Sequence, residues 1–551
     1  MTARITVGAL VAEFLERCGV EMAFGIISVH NVPLLDALHR RGTVRFVMCR
    51  GEMGGTHMAD GYARVSGRLG VVYTSTGPGA ASAVSGLVEA RFAGSPVLHI
   101  TGQSATPLAN RDLASVHDVP DQIGMLKSVS KAAYTVRTAD SALGILMHAA
   151  AEALTPPLGP VSVEIPIDIQ LAETDRPAAL DGPILPRPPI IAPLPEAIER
   201  LAAAVQAARR PLLWTGGGAR EAGTAVTRLA ALGIPVVTSW NGRGVIPEDH
   251  PLCLGPLATT PEVERFYEEV DLMLVAGSRL RGHETRDGNL RLPTRRIQID
   301  ADARANGRTY ACEQFVHADA TATLVALADR LEGRWNPAPD YADEISRLKT
   351  EATDAYRATL GDYAPLPSIL RDAMPRDAVW VRDISFHHTT WANRIFPVYG
   401  PRDSIYSVGA AIGTGMPLAI GAALAARGRK TVAMCGDGGF ALNLGEIMTV
   451  AQEQPDLCLL IMNDGGYGVI RHIQNSTSPG PNYYDALLAP DFELLARSAG
   501  MPYWRATSLD DVGKDVAAAL EHRGPTLVEV EMTSIGPFAP KFQAPTYAGK
   551  K

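Results

Sequence analysis

Short apolar runs rich in β-branched residues alternate with helical patterns along the whole chain, and this alternation limits the fold more than any other feature. In such a pattern each run is a buried strand, and each helix returns the chain across the sheet to a parallel neighbour. The sequence therefore predicts α/β domains with doubly wound parallel sheets. The predicted strands lie at 44–49, 69–76, 95–102, 159–166, 210–216, 234–240, 271–277, 295–300, 378–383, 430–438, 457–465 and 525–532.

Two interruptions divide this pattern into three parts. The segment 175–195 is rich in proline, and WNPAPDY at 335–341 also breaks the alternation, so both read as linkers. A chain of 551 residues is too long for one hydrophobic core. We therefore predict three doubly wound parallel-sheet domains of the α/β class, at 1–172, 190–334 and 342–551.

Composition narrows the classes of function. With 46% apolar and 20% charged residues the chain has an ordinary globular composition. The net charge of −8 comes without a Lys/Arg-rich block, so nucleic acid is not an expected partner. No stretch has the length of uncharged apolar sequence that a membrane span needs, and we expect the first 20 residues to form an amphipathic helix rather than a cleavable leader. The six cysteines lack metal-ligand spacing, which favours reduced thiols in a cytoplasmic protein.

The most informative segment is GDGGFALNLGEIMTVAQEQPDLCLLIMNDGGYG at 436–468. Asp437 and Asp464 each follow a predicted strand, and the carboxyl ends of neighbouring parallel strands are where ligands bind. Two carboxylates at a glycine-rich turn suit Mg²⁺, which usually retains phosphate oxygens among its ligands. The alternative is that Asp437 caps a helix and Asp464 belongs only to a turn.

This segment resembles the diphosphate-binding motif of thiamine-diphosphate (ThDP) enzymes, which opens with GDG and closes with Asn-Asn or Asn-Asp. The resemblance implies that Mg²⁺ is held by the side chains of Asp437 and Asp464 and by the carbonyl of Gly466. Most members carry Asn at the position of Asp464, and Asp supplies the same oxygen with more charge. The implied cofactor contacts here are Gly436, Asp437, Gly438, Gly439, Phe440, Asp464, Tyr467, Gly468 and Val469.

A glutamate that activates the pyrimidine ring of ThDP is implied in the first domain. In CRGEMGGTHMADGYARVSG at 49–67, Glu52 and Ala63 match the family spacing between this glutamate and its GYA signature. A carboxyl at an apolar domain contact can share a proton with a ring nitrogen. The alternative is an acidic residue favoured by a helix N-terminus.

Two further segments of the last domain match the family. SVGAAIGTGMPLAIGA at 407–422 resembles the stretch that bends ThDP, with Ile412 as the apolar wedge and the Ala410 carbonyl on the exocyclic amine. Without the resemblance, the alternative is that this stretch is only the start of a helix rich in small residues. In RDISFHHTTW at 382–391, Ser385, His387 and His388 fall where family members contact the diphosphate, although two adjacent histidines also occur on surfaces.

Two histidines are candidate catalytic residues together with Glu52. His30, in GIISVHNVP at 25–33, falls where benzaldehyde lyase has its active-site histidine, and the neighbouring Val29 cannot transfer a proton. His117, in SVHDVPDQIG at 115–124, matches a loop that carries a polar active-site residue in several branches. The alternative for either is a histidine that is satisfied within the core.

The middle domain carries WTGGGAREAG at 214–223, which is not a GxGxxG motif and has no matched ribose-binding acid. Some relatives hold FAD or ADP in this domain. GSRLRGHETRDG at 277–288 is where a flavin-binding relative would make contacts. We predict a structural domain, with FAD as the less favoured alternative.

The resemblance is strongest to the acetolactate synthase, 2-oxo acid decarboxylase and benzaldehyde lyase branch. It implies a carboligase that decarboxylates a 2-oxo acid and transfers the acyl unit to a second carbonyl. The alternative is an acyloin lyase or a simple decarboxylase, so the substrates are a 2-oxo acid, an aldehyde or an acyloin. A non-catalytic scaffold is disfavoured by the intact Glu52, Asp437 and Asp464. Because family sites form between two chains, a homodimer or homotetramer is expected.

Overall fold

The computed structural model describes residues 3–184, 186–477 and 480–538. It contains three six-stranded sheets whose strand pairs are all parallel, and one two-stranded antiparallel sheet. The α/β class with three doubly wound parallel sheets is therefore confirmed, and each of the twelve predicted runs contains a strand. The C-terminal segment 536–551, whose role the sequence leaves open, lies outside the described residues from 539 onward.

The first domain has the sheet order β3-β2-β4-β5-β7-β6, and β1 pairs with β8 in the antiparallel sheet. Its strands are β1 Arg4–Thr6, β2 Met22–Gly25, β3 Arg45–Met48, β4 Gly70–Thr74, β5 Val97–Gln103, β6 Ala132–Thr135, β7 Val161–Pro166 and β8 Glu173–Asp175. Its helices are α1 Val7–Arg17, α2 Val32–Arg41, α3 Glu52–Ser66, α4 Pro78–Ser82, α5 Val84–Ala93, α6 Gln122–Val129, α7 Ala142–Leu154 and α8 Ile167–Leu171.

The middle domain has the order β11-β10-β9-β12-β13-β14. Its strands are β9 Pro211–Thr215, β10 Val236–Thr238, β11 Cys253–Gly255, β12 Leu272–Ala276, β13 Arg296–Asp300 and β14 Gln314–His317. Its helices are α9 Pro195–Ala207, α10 Gly223–Ala231, α11 Pro261–Phe266, α12 Gly282–Thr285 and α13 Ala320–Leu331.

The last domain has the order β16-β15-β17-β18-β20-β19. Its strands are β15 Val379–Arg382, β16 Ser404–Tyr406, β17 Thr431–Gly436, β18 Leu457–Asn463, β19 Tyr503–Ala506 and β20 Thr526–Glu531. Its helices are α14 Tyr341–Ala358, α15 Leu366–Ala373, α16 Phe386–Thr389, α17 Gly415–Ala426, α18 Asp437–Ala441, α19 Ile447–Glu453, α20 Gly468–Thr477, α21 Phe492–Ser498, α22 Leu509–Glu521 and α23 Met532–Ile535.

The order of the strands places an open crevice in each sheet. In the first sheet the chain winds outward in both directions from the gap between β2 and β4, and in the last sheet from the gap between β15 and β17. Ligands of doubly wound sheets bind outside the carboxyl ends of the strands at such a switch point. The loops after β2, β4, β15 and β17 are therefore candidate ligand-binding loops.

Helices α3 and α17 join the first and last domains through one shared hydrophobic core. A Cβ at Gly61 would lie 2.1 Å from Leu418 O, and a Cβ at Gly421 would lie 1.9 Å from Met58 O. Only glycine allows the two backbones to come this close. Since residue 418 meets 61 and residue 421 meets 58, the helices run antiparallel.

No helix among the described residues combines the length and apolar character needed to cross a membrane. All six cysteines are unpaired thiols. The residue bounds predicted for the three domains stay predictions.

Candidate active site

Glu52 begins α3 immediately after the loop that follows β3, and its side chain is half-buried. A Cβ at Gly79 would lie 2.5 Å from Glu52 Oε1, and a Cβ at Gly77 would lie 2.1 Å from His117 O. The Gly77-Pro78-Gly79 turn after β4 therefore separates Glu52 from the His117 loop. Gly77 also has φ of +56°, which favours glycine.

His30 and His117 meet although 87 positions separate them in the chain. Their Nδ1 atoms are 3.1 Å apart and their ring centroids 5.1 Å apart. The close approach needs another glycine, since a Cβ at Gly102 would lie 2.3 Å from His30 O. The structure thus brings together the two histidines that the sequence singled out separately, and His117 lies against the turn whose Gly79 contacts Glu52.

The two rings can share one proton. Burial, and then the charge of His117, lower the pKa of His30 below its ordinary value. At neutral pH His30 is therefore uncharged, and one Nδ1–H donates to the other Nδ1. Such a pair can accept or deliver a single proton at low energetic cost.

Gln122 positions both histidine loops, and sequence reasoning did not single it out. Its Oε1 accepts the N–H of Gly77 at 2.7 Å, and its Nε2 donates to Gly102 O at 3.0 Å. These are the two glycines against which the His117 and His30 backbones lie. Gln122 is fully buried at the start of α6, a place that local sequence does not distinguish from ordinary core.

Asp437 and Asp464 lie together at the carboxyl ends of β17 and β18. Asp437 is 2% exposed, and neither of its carboxylate oxygens has a hydrogen-bond partner among the described residues. Burial raises the pKa of Asp437, and burial followed by the charge of Asp437 raises the pKa of Asp464 to about 7. Two buried acids this close repel each other when both are ionised.

These donors fit a divalent cation. A cation between the two carboxylates would remove their repulsion and satisfy the orphaned oxygens of Asp437. The described residues contain no group of three or more His, Cys, Asp or Glu side chains arranged for a metal. A cation bound here would therefore take further ligands from backbone, such as the Gly466 carbonyl that the family resemblance implies, and from phosphate or water, which Mg²⁺ commonly retains.

The loop after Asp464 is held against residues 485–487. Tyr467 N donates to Asp485 O at 2.8 Å, and a Cβ at Gly466 would lie 1.9 Å from the same oxygen. On the other side, a Cβ at Gly438 would lie 2.8 Å from the Tyr467 ring, and one at Gly468 would lie 1.9 Å from Asp464 Oδ2. The predicted contacts from 436 to 440 and from 464 to 469 thus form one cluster.

Ser385 lies beside this cluster, whereas the next two histidines are engaged in the core. Ser385 Cβ lies 3.6 Å from a Cβ built on Gly436. His387 Nδ1 accepts from Trp391 Nε1 at 2.8 Å, and burial lowers the pKa of His387 to about 3. His388 is also buried and bonds Asn393. The predicted diphosphate contacts of all three residues stay predictions.

The segment 407–413 presents the residues predicted to bend ThDP. Ile412 is 41% exposed, although it is a large apolar side chain. Gly413 N donates to both carboxylate oxygens of Asp383, at 3.1 and 3.0 Å. Burial raises the pKa of Asp383 to about 7. Sequence reasoning missed Asp383, although its place at the end of β15 was an available signal.

The glycines of the middle domain serve close backbone packing. A Cβ at Gly216 would lie 2.3 Å from Gly277 O, and one at Gly277 would lie 2.5 Å from Gly218 C. In the segment suggested for flavin contacts, Arg281 donates to Glu284 and to the Tyr406 hydroxyl. The Arg281 side chain therefore bonds other groups of the protein. The preference for a structural domain over an FAD site stays a prediction.

Comparison with known proteins agrees with this geometry. Residues 5–125 match the N-terminal TPP-binding domain of thiamine pyrophosphate enzymes, residues 198–327 the central domain and residues 387–530 the C-terminal TPP-binding domain. The chain is 30% identical over 533 residues to the probable 2-ketoarginine decarboxylase AruI of Pseudomonas aeruginosa, covering 96% of this chain and 94% of that protein.

Two acetolactate synthases are similar over comparable lengths. The large subunit of isozyme 2 from Escherichia coli is 30% identical over 546 residues, covering 96% of both chains. The chloroplastic acetolactate synthase 1 of Zea mays is 29% identical over 547 residues, covering 95% of this chain and 84% of that protein. With all three family domains matched in order, the chain belongs to the thiamine-diphosphate-dependent enzymes.

Proposed function

We propose that this enzyme uses ThDP and Mg²⁺ to decarboxylate a 2-oxo acid and to transfer the acyl unit to a second carbonyl. The observation that carries the proposal is the buried Asp437 carboxylate at the carboxyl end of β17, beside the second acid Asp464 at the end of β18. Among the described residues Asp437 has no hydrogen-bond partner that would explain its burial. A cation that carries a diphosphate supplies that partner.

The protein's residues would divide the work around the cofactor. When bound, ThDP supplies the carbon nucleophile. Asp437, Asp464 and the Gly466 carbonyl would hold Mg²⁺, and Ile412 would enforce the bend of the cofactor. Glu52 would hold a proton at the pyrimidine nitrogen, from its place beside the Gly79 turn.

The His30–His117 pair would handle the proton of the acceptor. When an acyl unit adds to a carbonyl, the carbonyl oxygen becomes an alkoxide and needs a proton. A pair with one shared proton at 3.1 Å can deliver it, and can take it back in the reverse direction. His117 lies against Gly77 and Glu52 against Gly79 of the same turn, and His30 contacts His117, so we place the pair and Glu52 around one reaction space.

Simple decarboxylation, or cleavage of an acyloin, is the second candidate. The same histidine pair favours it, because release of an aldehyde needs one proton delivered to carbon and one proton removed from the hydroxyl oxygen, and this pair could carry the hydroxyl proton. The relatives represent both candidate functions. One is a probable 2-ketoarginine decarboxylase, and the others are acetolactate synthases.

A second copy of the chain is needed to complete the site. Glu52 lies at the start of α3, whereas Arg64 near its end bonds Tyr406 O, next to the segment 407–413. The 15-residue helix is about 22 Å long, so one chain cannot bring Glu52 to its own Ile412. Large apolar side chains exposed near these loops offer the contact surface: Ile27, Met48, Phe92, Ile412, Leu442 and Met448. We infer a homodimer or homotetramer.

We further infer a cytoplasmic location, which the six unpaired cysteines support.

Product analysis tests the reaction. Purified enzyme with ThDP and Mg²⁺ is incubated with pyruvate, benzoylformate and benzoin, and CO₂ and carbonyl products are measured. Acetolactate from pyruvate supports the carboligase. Aldehyde with CO₂ alone, or cleavage of benzoin, supports the second candidate. Turnover that is unaffected by Glu52→Gln would contradict both.

A further inference from the structure

The segment 407–413 holds a backbone conformation that needs outside support. Ala410 has φ of +62°, a left-handed conformation that alanine rarely adopts. Such a residue persists only when its surroundings force it. Ala410 and Ile412 are both exposed, so the constraint must come from the two ends of the segment.

Glu89 of the first domain holds one end. Its carboxylate accepts Val408 N at 2.6 Å and Gly409 N at 2.7 Å, and Ser407 Oγ lies 3.3 Å from it. A Cβ at Gly409 would lie 2.9 Å from Glu89 Oε2, so glycine is required for this approach. Asp383 holds the other end by accepting Gly413 N.

Glu89 is itself fixed in place. It is 1% exposed and accepts Arg64 Nη2 at 2.8 Å, while Arg64 also bonds Asp60 and donates to Tyr406 O at 2.6 Å. Burial alone would raise the pKa of Glu89, but the charge and hydrogen bond of Arg64 and the two backbone N–H groups hold it below the ordinary value. The Glu89 carboxylate is therefore ionised. It accepts hydrogen bonds from Arg64 on one side and from the backbone of 407–413 on the other.

We propose that Glu89, held by Arg64, is a positioning residue that keeps 407–413 in the shape that bends the cofactor. This inference rests on the proposed role of Ala410 and Ile412. The first domain would then contribute Glu89 as well as Glu52. Glu89 acts on a segment of the last domain of the same chain. The local sequence around Glu89 gives no sign of it, because the segment that Glu89 holds lies more than 300 residues away.

Glu89→Gln tests the proposal, because an amide cannot accept both backbone N–H groups and the Arg64 fork. In the apoprotein, amide hydrogen exchange at Val408 and Gly409 should accelerate at least tenfold. With ThDP and Mg²⁺ added, cofactor affinity measured by tryptophan fluorescence should change less than about tenfold. The exchange of the thiazolium C2 proton of bound ThDP, followed by quenched-flow NMR, should slow at least tenfold.

Arg402→Gln is the matched control. Arg402 also bonds across the domains at the same end of α3, to Arg64 O at 2.9 Å, but within the described part of the chain none of its hydrogen bonds reaches 407–413. The control should leave both exchange rates within about twofold of wild type. If Glu89→Gln does not fold, Ser407→Ala removes a single oxygen beside Glu89 and should slow C2 exchange by a smaller factor.

The outcomes separate the two proposals. Unchanged C2 exchange in a cofactor-loaded Glu89→Gln enzyme, unchanged amide exchange, or an equal loss in Arg402→Gln would overturn the positioning role. If the wild-type enzyme itself does not bind ThDP, the proposed function fails instead, and this result does not depend on any variant.

Discussion

The glycines around the candidate site allow other parts of the chain to pack closely against them. A Cβ at Gly77, Gly79 or Gly102 would collide with His117 O, Glu52 Oε1 or His30 O. Each glycine lets a functional residue lie against a strand end. These collisions involve positions far apart in the sequence, so spacing alone could not reveal them. Sequence reasoning found the histidines and Glu52, but only the fold shows that the two histidines meet and that one turn lies between His117 and Glu52.

His30→Ala should lower turnover on the physiological substrate by about 10² to 10⁴, the usual contribution of a positioned proton carrier. ThDP affinity should stay within about threefold of wild type, because the histidine pair lies over the reacting carbon in our proposal. Steady-state kinetics and cofactor titration measure the two effects. His39→Ala, which removes an exposed histidine of α2, is the control and should change neither. Unaltered turnover in His30→Ala would make His30 structural.

His99 should make stability depend on pH. Its ring lies in the first sheet between Thr74 Oγ1 and Ser162 Oγ, at 2.8 and 2.9 Å, and burial lowers its pKa to about 3. Since the unfolded state binds the proton near pH 6.5, the stability from this group is present above pH 6.5 and is lost as pH falls below it. From pH 6.5 to 5 the loss should be about 2 kcal/mol. Urea denaturation of wild type and His99→Gln measures it, and equal slopes against pH would refute it.

At the level of elements, the sequence predicts central strands well and edge strands poorly. Apart from β3, each predicted run became a strand with neighbours on both sides. The strands that were not predicted include β6, β11, β14, β16 and β19, which all lie at sheet edges. Edge strands are short and need not be apolar on both faces, so they lack a continuous hydrophobic run. The central β2 was also missed, because its sequence Met-Ala-Phe-Gly contains no β-branched residue.

Substituting alanine for glycine in two helices of the first domain should change the free energy of unfolding in opposite directions. Gly61→Ala forces a methyl group toward Leu418 O and should lower the free energy of unfolding by about 3 kcal/mol, the upper end of typical overpacking costs. Gly144→Ala in α7 meets no atom within 4 Å and should raise it by about 0.5–1 kcal/mol. Chemical denaturation measures both. Equal stability of the two variants would show that the α3–α17 contact is less tight than the structure indicates.

At the scale of the molecule, α3 serves two sites. Its first residue is Glu52, and Arg64 near its end fixes Glu89 against the segment 407–413. The motifs at 436–468 and 49–67 indicate the cofactor family, because each spans a whole strand-to-helix unit. Neither motif reveals that Glu52 and Ile412 lie far apart within one chain, since that depends on the antiparallel packing of α3 and α17. The arrangement leads to a prediction about mixed oligomers.

Glu52→Gln and Asp437→Ala should each abolish activity alone and restore it when mixed. If each site takes Glu52 from one chain and Asp437 from the other, a hybrid dimer has one site with both defects and one intact site. After random reassortment half of the dimers are hybrids, so the mixture should recover about a quarter of wild-type activity. Unfolding and refolding the two variants together, followed by activity assays, measures the recovery.

The opposite arrangement gives a different result. If one chain supplied both Glu52 and Asp437 to the same site, every site in a hybrid would carry one defect, and mixing would restore nothing. Distinct affinity tags on the two variants allow the hybrids to be purified, so that absence of activity cannot be attributed to absence of exchange. Pure hybrids should then show about half of wild-type activity per dimer, because one of their two sites is intact. Inactive purified hybrids would place the whole site within one chain and contradict the separation of Glu52 from Ile412 along α3.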